Sequence, residues 1–163
     1  MADRTVGLLY AALARRLVAV TVRGASMEPS YHDADRVLVR RDVAPVPGQV
    51  VVVERPAAGA GWRLPPLRRR GSAAEVAGRQ WLIKRVAAAP GDPVPRDRVP
   101  ALAAVPGDHV PHGSLVLLGD NQDVSFDSRR VGYFPADRVL GTVLRRLPPA
   151  NGAGTGPGAR PYG

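Results

Sequence analysis

Lys84 is the only lysine in a chain of 163 residues, and the other 22 Lys/Arg positions are all arginine. A guanidinium keeps its proton at any accessible pH, whereas an ammonium desolvated by apolar neighbours can be pushed to lose it near neutrality. Lys84 stands between Leu82-Ile83 and Val86, side chains of the kind that strip water from an amine. It therefore reads as a candidate general base, against the plainer reading of one lysine codon left in an arginine-biased composition.

A base needs something to activate. Ser26 follows Gly24, which permits a tight backbone, and precedes Met27. A serine hydroxyl is a poor nucleophile until a neighbour takes its proton, and no Gly-x-Ser-x-Gly elbow surrounds Ser26 to mark a hydrolase of that type. His32, His109 and His112 lack a convincing triad context, although sequence alone leaves that geometry open; a neutral lysine is the other base on offer, and Lys84 is the one lysine. A serine in a turn also serves simply to cap or solvate a loop.

The third group is the segment Gly119 to Gly132, which packs three acids, two serines and two arginines between an apolar run and Gly132-Tyr133-Phe134-Pro135. Such a loop can be one that satisfies its own backbone. Its density points equally to a hydrogen-bonded network that positions other groups, with Asp127 and Arg129 paired as a brace and Ser125 orienting the lysine amine.

For the elements that would carry these groups, short Val/Leu runs separated by turns predict β structure. Strands are expected at Leu17–Val22, Arg36–Arg40, Gln49–Glu54, Trp81–Val86, Leu115–Leu118 and Val139–Leu147, with a turn at Pro45–Gly48. Seventeen prolines and eighteen glycines fit this reading better than a helical bundle. Residues 57–79 lack periodicity and are expected to form a long loop or a loosely formed hairpin insertion. The segment before Leu17 is expected to be a short apolar and basic helix lying on a membrane or on the domain. Read as one segment, Val6 to Val22 has nearly the length of a membrane span, but Arg15-Arg16 near its middle would cost about 2.5 to 3.5 kcal/mol each in a spanning helix. They also follow the first apolar run instead of preceding it as in a cleaved secretory signal. Residues 148–163 are Gly/Pro-rich and expected to be disordered.

Composition narrows the chemistry. The chain has no cysteine, which removes disulfides, thiolate metal sites and a cysteine nucleophile. Its three histidines are too thinly spread for a metal cluster, and Pro111 breaks the spacing of His109 and His112. The net charge of +9 could serve nucleic acid or an anionic surface. The arginines, however, fall as singles and pairs except at 68–70, with no interleaved aromatics for base stacking, so no nucleic-acid partner is expected.

Taken together and in order, the three stretches resemble the type I signal peptidase family of Ser/Lys endopeptidases. Gly24-Ala25-Ser26-Met27-Glu28-Pro29-Ser30 is similar to its nucleophile box, and Lys84-Arg85-Val86 with Pro90-Gly91-Asp92 to its lysine box. Gly119-Asp120-Asn121 followed by Ser125-Phe126-Asp127-Ser128-Arg129 and Gly132 matches its third box almost completely. The resemblance spans roughly residues 20–143 and leaves 57–79 outside as an insertion.

It implies a mostly β core of coiled antiparallel sheets, shared with LexA-like proteases. In it Ser26 is the nucleophile, its backbone N–H an oxyanion donor, and Lys84 the general base. Ser125 would hydrogen-bond the amine, and Asp127, Arg129, Asp120 and Asn121 would brace the site. The implied reaction is cleavage of signal or leader peptides after small residues, with no metal or organic cofactor, by a monomer acting on precursor proteins in peripheral contact with a membrane. The organisation expected is an N-terminal segment over 1–23, a protease core over 24–147 and a tail over 148–163. Three departures stand out: Gly24 replaces the serine that some relatives offer as a second oxyanion donor, while Ala34-Asp35 and Gly48-Gln49 replace two Gly-Asp pairs. The rival readings are a soluble maturation protease dedicated to one precursor, and a non-catalytic basic membrane- or nucleic-acid-binding module on the same fold.

Overall fold

The computed structural model describes residues 16–57, 61–68 and 71–149. The expected N-terminal helix falls outside them, as does the tail from residue 150 onward. Seven strands form one antiparallel sheet: β1 (Leu17–Thr21), β2 (Arg36–Arg40), β3 (Val50–Glu54), β4 (Trp81–Ala88), β5 (Ser114–Leu118), β6 (Phe134–Pro135) and β7 (Val139–Leu147). Their order across the sheet is β1-β2-β7-β3-β4-β5-β6. The mostly β, antiparallel architecture expected from the sequence is the one observed.

β3 holds the middle of the sheet, and its sequence explains why. Val50-Val51-Val52-Val53 is apolar at every position, the pattern of a strand covered on both faces. Val50 and Val52 enter one core with Val22, Met27, Val37, Val39, Ile83 and Leu140. Val51 and Val53 enter another with Val86, Leu115, Leu117 and Phe134. Register shifts at Leu38/Val39, Val52/Val53 and Val86/Ala88 interrupt the ladders. Such bulges bend a strand and raise its twist, so the sheet curls and brings loops from distant parts of the chain to one place.

The described part of the insertion is largely loop, with an isolated antiparallel bridge between Ala57 and Gly61, and it departs from expectation in one place. Residues 73–77 form a helical turn, α1 (Ala73–Ala77), started by a capping box in which Ser72 Oγ accepts the Glu75 N–H and Glu75 accepts the Ser72 N–H. The Ser-x-x-Glu pattern was there to be read; without an apolar stripe beside it, the low periodicity pointed to loop. Trp81 Nε1 donates to the Val76 carbonyl and ties α1 to β4.

A buried ion cluster fixes the rest of the insertion. Glu54 takes Arg79 at 2.6 Å and Arg138 at 3.2 Å, and these side chains are 7 %, 5 % and 11 % exposed. The two arginines also donate to the carbonyls of Pro65 and Leu64. The insertion is thus fastened to the end of β3.

Candidate active site

Ser26 lies in a turn that leaves β1 and closes with Glu28 N–H on the Ala25 carbonyl and Tyr31 N–H on the Met27 carbonyl. Met27, fully buried, anchors the turn in the core. Gly24 has φ +77°, a conformation that suits glycine, and its N–H is taken by Asp33 Oδ1 at 2.8 Å. The Ser26 N–H has no acceptor among the described residues. A free donor next to a candidate nucleophile is what an oxyanion needs, whereas the Gly24 N–H is already occupied.

Lys84 arrives on β4, paired in register with Val51. It is 1 % exposed, and its Nζ lies 2.7 Å from Ser26 Oγ. No carboxylate lies within ion-pair distance of it among the described residues. Burial is the largest influence and pushes the Lys84 pKa down to about 8; Asp127 opposes this, while Arg129 and Arg55 add to it. An ammonium without a counter-ion in an apolar wall is destabilised relative to the neutral amine.

The loop after β5 closes the site. Asn121 N–H donates to the Ser26 carbonyl, so this loop grips the nucleophile turn by its backbone. The fit depends on Gly119, where a Cβ would come 2.6 Å from the Ser26 carbonyl oxygen and would clash with Ser125 Oγ. Asp127, wholly buried, accepts the Gly119 N–H at 2.8 Å and the Arg129 N–H at 3.0 Å. Arg129 Nη2 meets Asp127 at 3.4 Å and donates to the Gly119 carbonyl. Ser128 Oγ accepts the Leu117 N–H, locking the start of α2 (Ser128–Val131) to β5.

Ser125 sits differently from expectation. Its hydroxyl is buried and has no hydrogen-bond partner among the described residues, so the bond to the lysine amine is not made. Lys84 instead points its amine at Ser26.

Arg85 is the residue that sequence reasoning passed over. Its guanidinium grips Asp120 with two bonds of 2.8 and 2.6 Å, donates to the Gly48 carbonyl, and reaches Ser30 Oγ at 3.3 Å. One side chain therefore joins the lysine strand, the nucleophile turn and the loop after β5. The Asp120 hydrogen bond holds the Arg85 pKa above its ordinary value, and the same bond holds the Asp120 carboxyl below its own. The signal was the adjacency Lys84-Arg85: alternate residues of a strand face opposite ways, so Arg85 could be expected to serve a different face from Lys84.

The left-handed backbone that a Gly-Asp pair would favour is present at both departures noted in the sequence. Ala34 has φ +68° despite its Cβ, and Gly48 has φ +87°. The alanine thus keeps the turn at the cost of strain.

A family model for signal peptidase, peptidase S26, matches the chain over residues 4–101 and 95–147. The chain belongs to the signal peptidase family. No curated protein matches it. Membership makes this signal peptidase a serine peptidase whose substrates are precursor proteins. Signal peptidases are membrane-associated enzymes; among the described residues, no helix is long and apolar enough to cross a membrane.

Proposed function

We propose that this signal peptidase works through a Ser26/Lys84 dyad to cut signal or leader sequences from precursor proteins after small residues, at a membrane surface it contacts peripherally. The observation that carries the reading is the 2.7 Å approach of the Lys84 amine to Ser26 Oγ from a wall where Lys84 is 1 % exposed.

In this mechanism neutral Lys84 takes the Ser26 proton as Oγ attacks the scissile carbonyl. The tetrahedral oxyanion forms beside the free Ser26 N–H, a kind of donor worth about 3 to 4 kcal/mol. Lys84, now charged, gives its proton to the leaving amine; a water that it then deprotonates releases the acyl-enzyme. Ser125 keeps its proposed orienting role through a buried hydroxyl with acceptor capacity to spare when the amine becomes charged. Asp127, Arg129, Asp120 and Asn121 hold the loop that carries it.

The sheet supports a mode of substrate entry. β5 pairs with β4 only from Arg85 onward, which leaves the β5-facing edge of Trp81–Ile83 without a strand among the described residues. An extended peptide can add to such an edge through its main chain, and that edge leads directly to Lys84.

Ser26→Ala tests the reading. Cleavage of a precursor with small residues before the cut should fall to a residual about 10³-fold above the uncatalysed rate, with an unchanged melting curve. Near-normal turnover in a preparation free of other proteases would remove Ser26 from the mechanism.

A further inference from the structure

Folding gathers arginines that are far apart in sequence around a groove of about 1000 Å³. Arg55 follows β3, Arg63 belongs to the insertion, and Arg130 lies in α2, one turn beyond Phe126. Each of the three is exposed, and none has a side-chain hydrogen bond or ion pair among the described residues. Among the described residues, the one carboxylate lining the groove is Glu54, which is already held by Arg79 and Arg138. Among those residues the groove therefore presents three guanidiniums without an ion-pair partner and no available acid.

Its position makes the charge relevant to the reaction. Arg55 stacks over the Phe126 ring at 5.4 Å, and Phe126 sits between Ser125 and Asp127 of the loop that closes the site. Arg55 is near enough to Lys84 to influence its ionisation. Gln80, on the groove wall, immediately precedes the open edge at Trp81.

We propose that this groove is a substrate subsite that selects precursors carrying acidic side chains within a few residues of the cut. Arg55, Arg63 and Arg130 receive the carboxylates, and Phe126 supports the apolar stem. The inference rests on the dyad reading for the position of the cut. It fits a polypeptide better than a flat surface because the guanidiniums surround a recess, and that recess reaches Gln80, next in sequence to the edge proposed to take the peptide. Arginine suits this role because its planar fork can meet a carboxylate with two hydrogen bonds.

The test uses the full chain and pairs of internally quenched peptides, with alanine one and three residues before the cut and either glutamate or glutamine at the neighbouring positions on each side. Wild type should cleave the glutamate peptide with a kcat/KM about three- to tenfold higher at low salt, the ratio falling as salt rises. Arg63→Gln with Arg130→Gln should bring the ratio to about one. Arg98→Gln, which removes an exposed arginine that does not line the groove, should leave it intact and so separate a local site from the general +9 charge. Equal cleavage of both peptides by wild type would overturn the subsite, as would an equal loss of preference in Arg98→Gln. Loss of anionic-vesicle binding in the groove variants with an unchanged peptide ratio would also overturn it.

Binding is read separately, by fluorescence anisotropy of labelled peptides on Ser26→Ala. If the glutamate peptide binds better only when Arg63 and Arg130 are present, the subsite stands even where the dyad fails. Ser26-dependent cleavage with no charge preference would leave the dyad standing and remove the subsite.

Discussion

Lys84 and Arg79 are both cations nearly sealed from water, and the protein treats them in opposite ways. Arg79 shares Glu54 with Arg138 and donates to a backbone carbonyl, so its charge is compensated where it lies. Lys84 has a hydroxyl as its hydrogen-bond partner, no carboxylate at ion-pair distance among the described residues, and a pKa down at about 8. On the proposed dyad, the difference follows from what each cation does. A guanidinium held by a carboxylate fixes geometry and keeps its proton, whereas an amine denied a counter-ion is held near the point of losing its proton. The same contrast recurs between neighbours on β4, since Arg85 is gripped by Asp120 and Lys84 is not.

Exchanging the two kinds of cation should break the comparison most sharply. Lys84→Arg keeps the charge but cannot accept a proton, so kcat/KM should fall by at least about 10³-fold while the protein stays folded by circular dichroism. A variant cleaving at near wild-type rate would reduce Lys84 to a structural residue.

Removing the compensation at the other site should do the reverse. Glu54→Gln leaves two buried guanidiniums without their anion and should lower stability by about 3 to 5 kcal/mol, read by urea unfolding, with kcat/KM retained where the variant remains folded. A large loss of turnover without loss of stability would instead place the cluster in the chemistry.

Burial of Lys84 also has a signature in stability against pH. Its pKa in the fold, about 8, lies below the roughly 10.4 of an unfolded lysine. Between these values the unfolded chain binds more protons, so stability should rise with pH by about 3 kcal/mol. Lys84→Met should lack that rise; identical pH profiles of unfolding in the two proteins would show that the amine is not desolvated in solution. Activity of the folded enzyme should climb around pH 8, where the Lys84 amine becomes neutral, and level off before the rise in stability is complete.

Asp127→Asn refines the point. The Asp127 charge opposes the fall in the Lys84 pKa, so its removal should move the rise in activity to lower pH and weaken the loop. A shift to higher pH would contradict the electrostatic picture. The smallest effect is expected at Ala34, whose φ of +68° costs about 1 kcal/mol in a residue with a Cβ. Ala34→Gly should recover part of that in thermal unfolding; a fall in stability would show that the turn is not strained.

Much of this could be read before the fold was known, for reasons that differ between residues. Lys84 stood out because arginine was the habit everywhere else, and β3 because four consecutive valines admit few other environments. Ser26, Asp127 and Arg129 came with a motif. The groove arginines did not, because Arg55, Arg63 and Arg130 acquire a common purpose only when the sheet curls. Arg85 was hidden in plain view: nothing in a linear reading says that one guanidinium will meet Asp120, Gly48 and Ser30 together. Ser125 shows the opposite limit, where residue type and motif suggested a bond that the geometry leaves unmade.

Ser26 and Lys84 are separated by 58 positions in the chain, and the amine owes its low pKa to the walls around it. A half-made sheet possesses neither the encounter nor the base, since a wetted lysine returns to about 10.4. On the proposed dyad, proteolytic power therefore appears only with the finished sheet. Loss of activity and loss of tertiary circular dichroism should accordingly coincide along a denaturant titration, and activity persisting after the sheet has opened would refute that coupling.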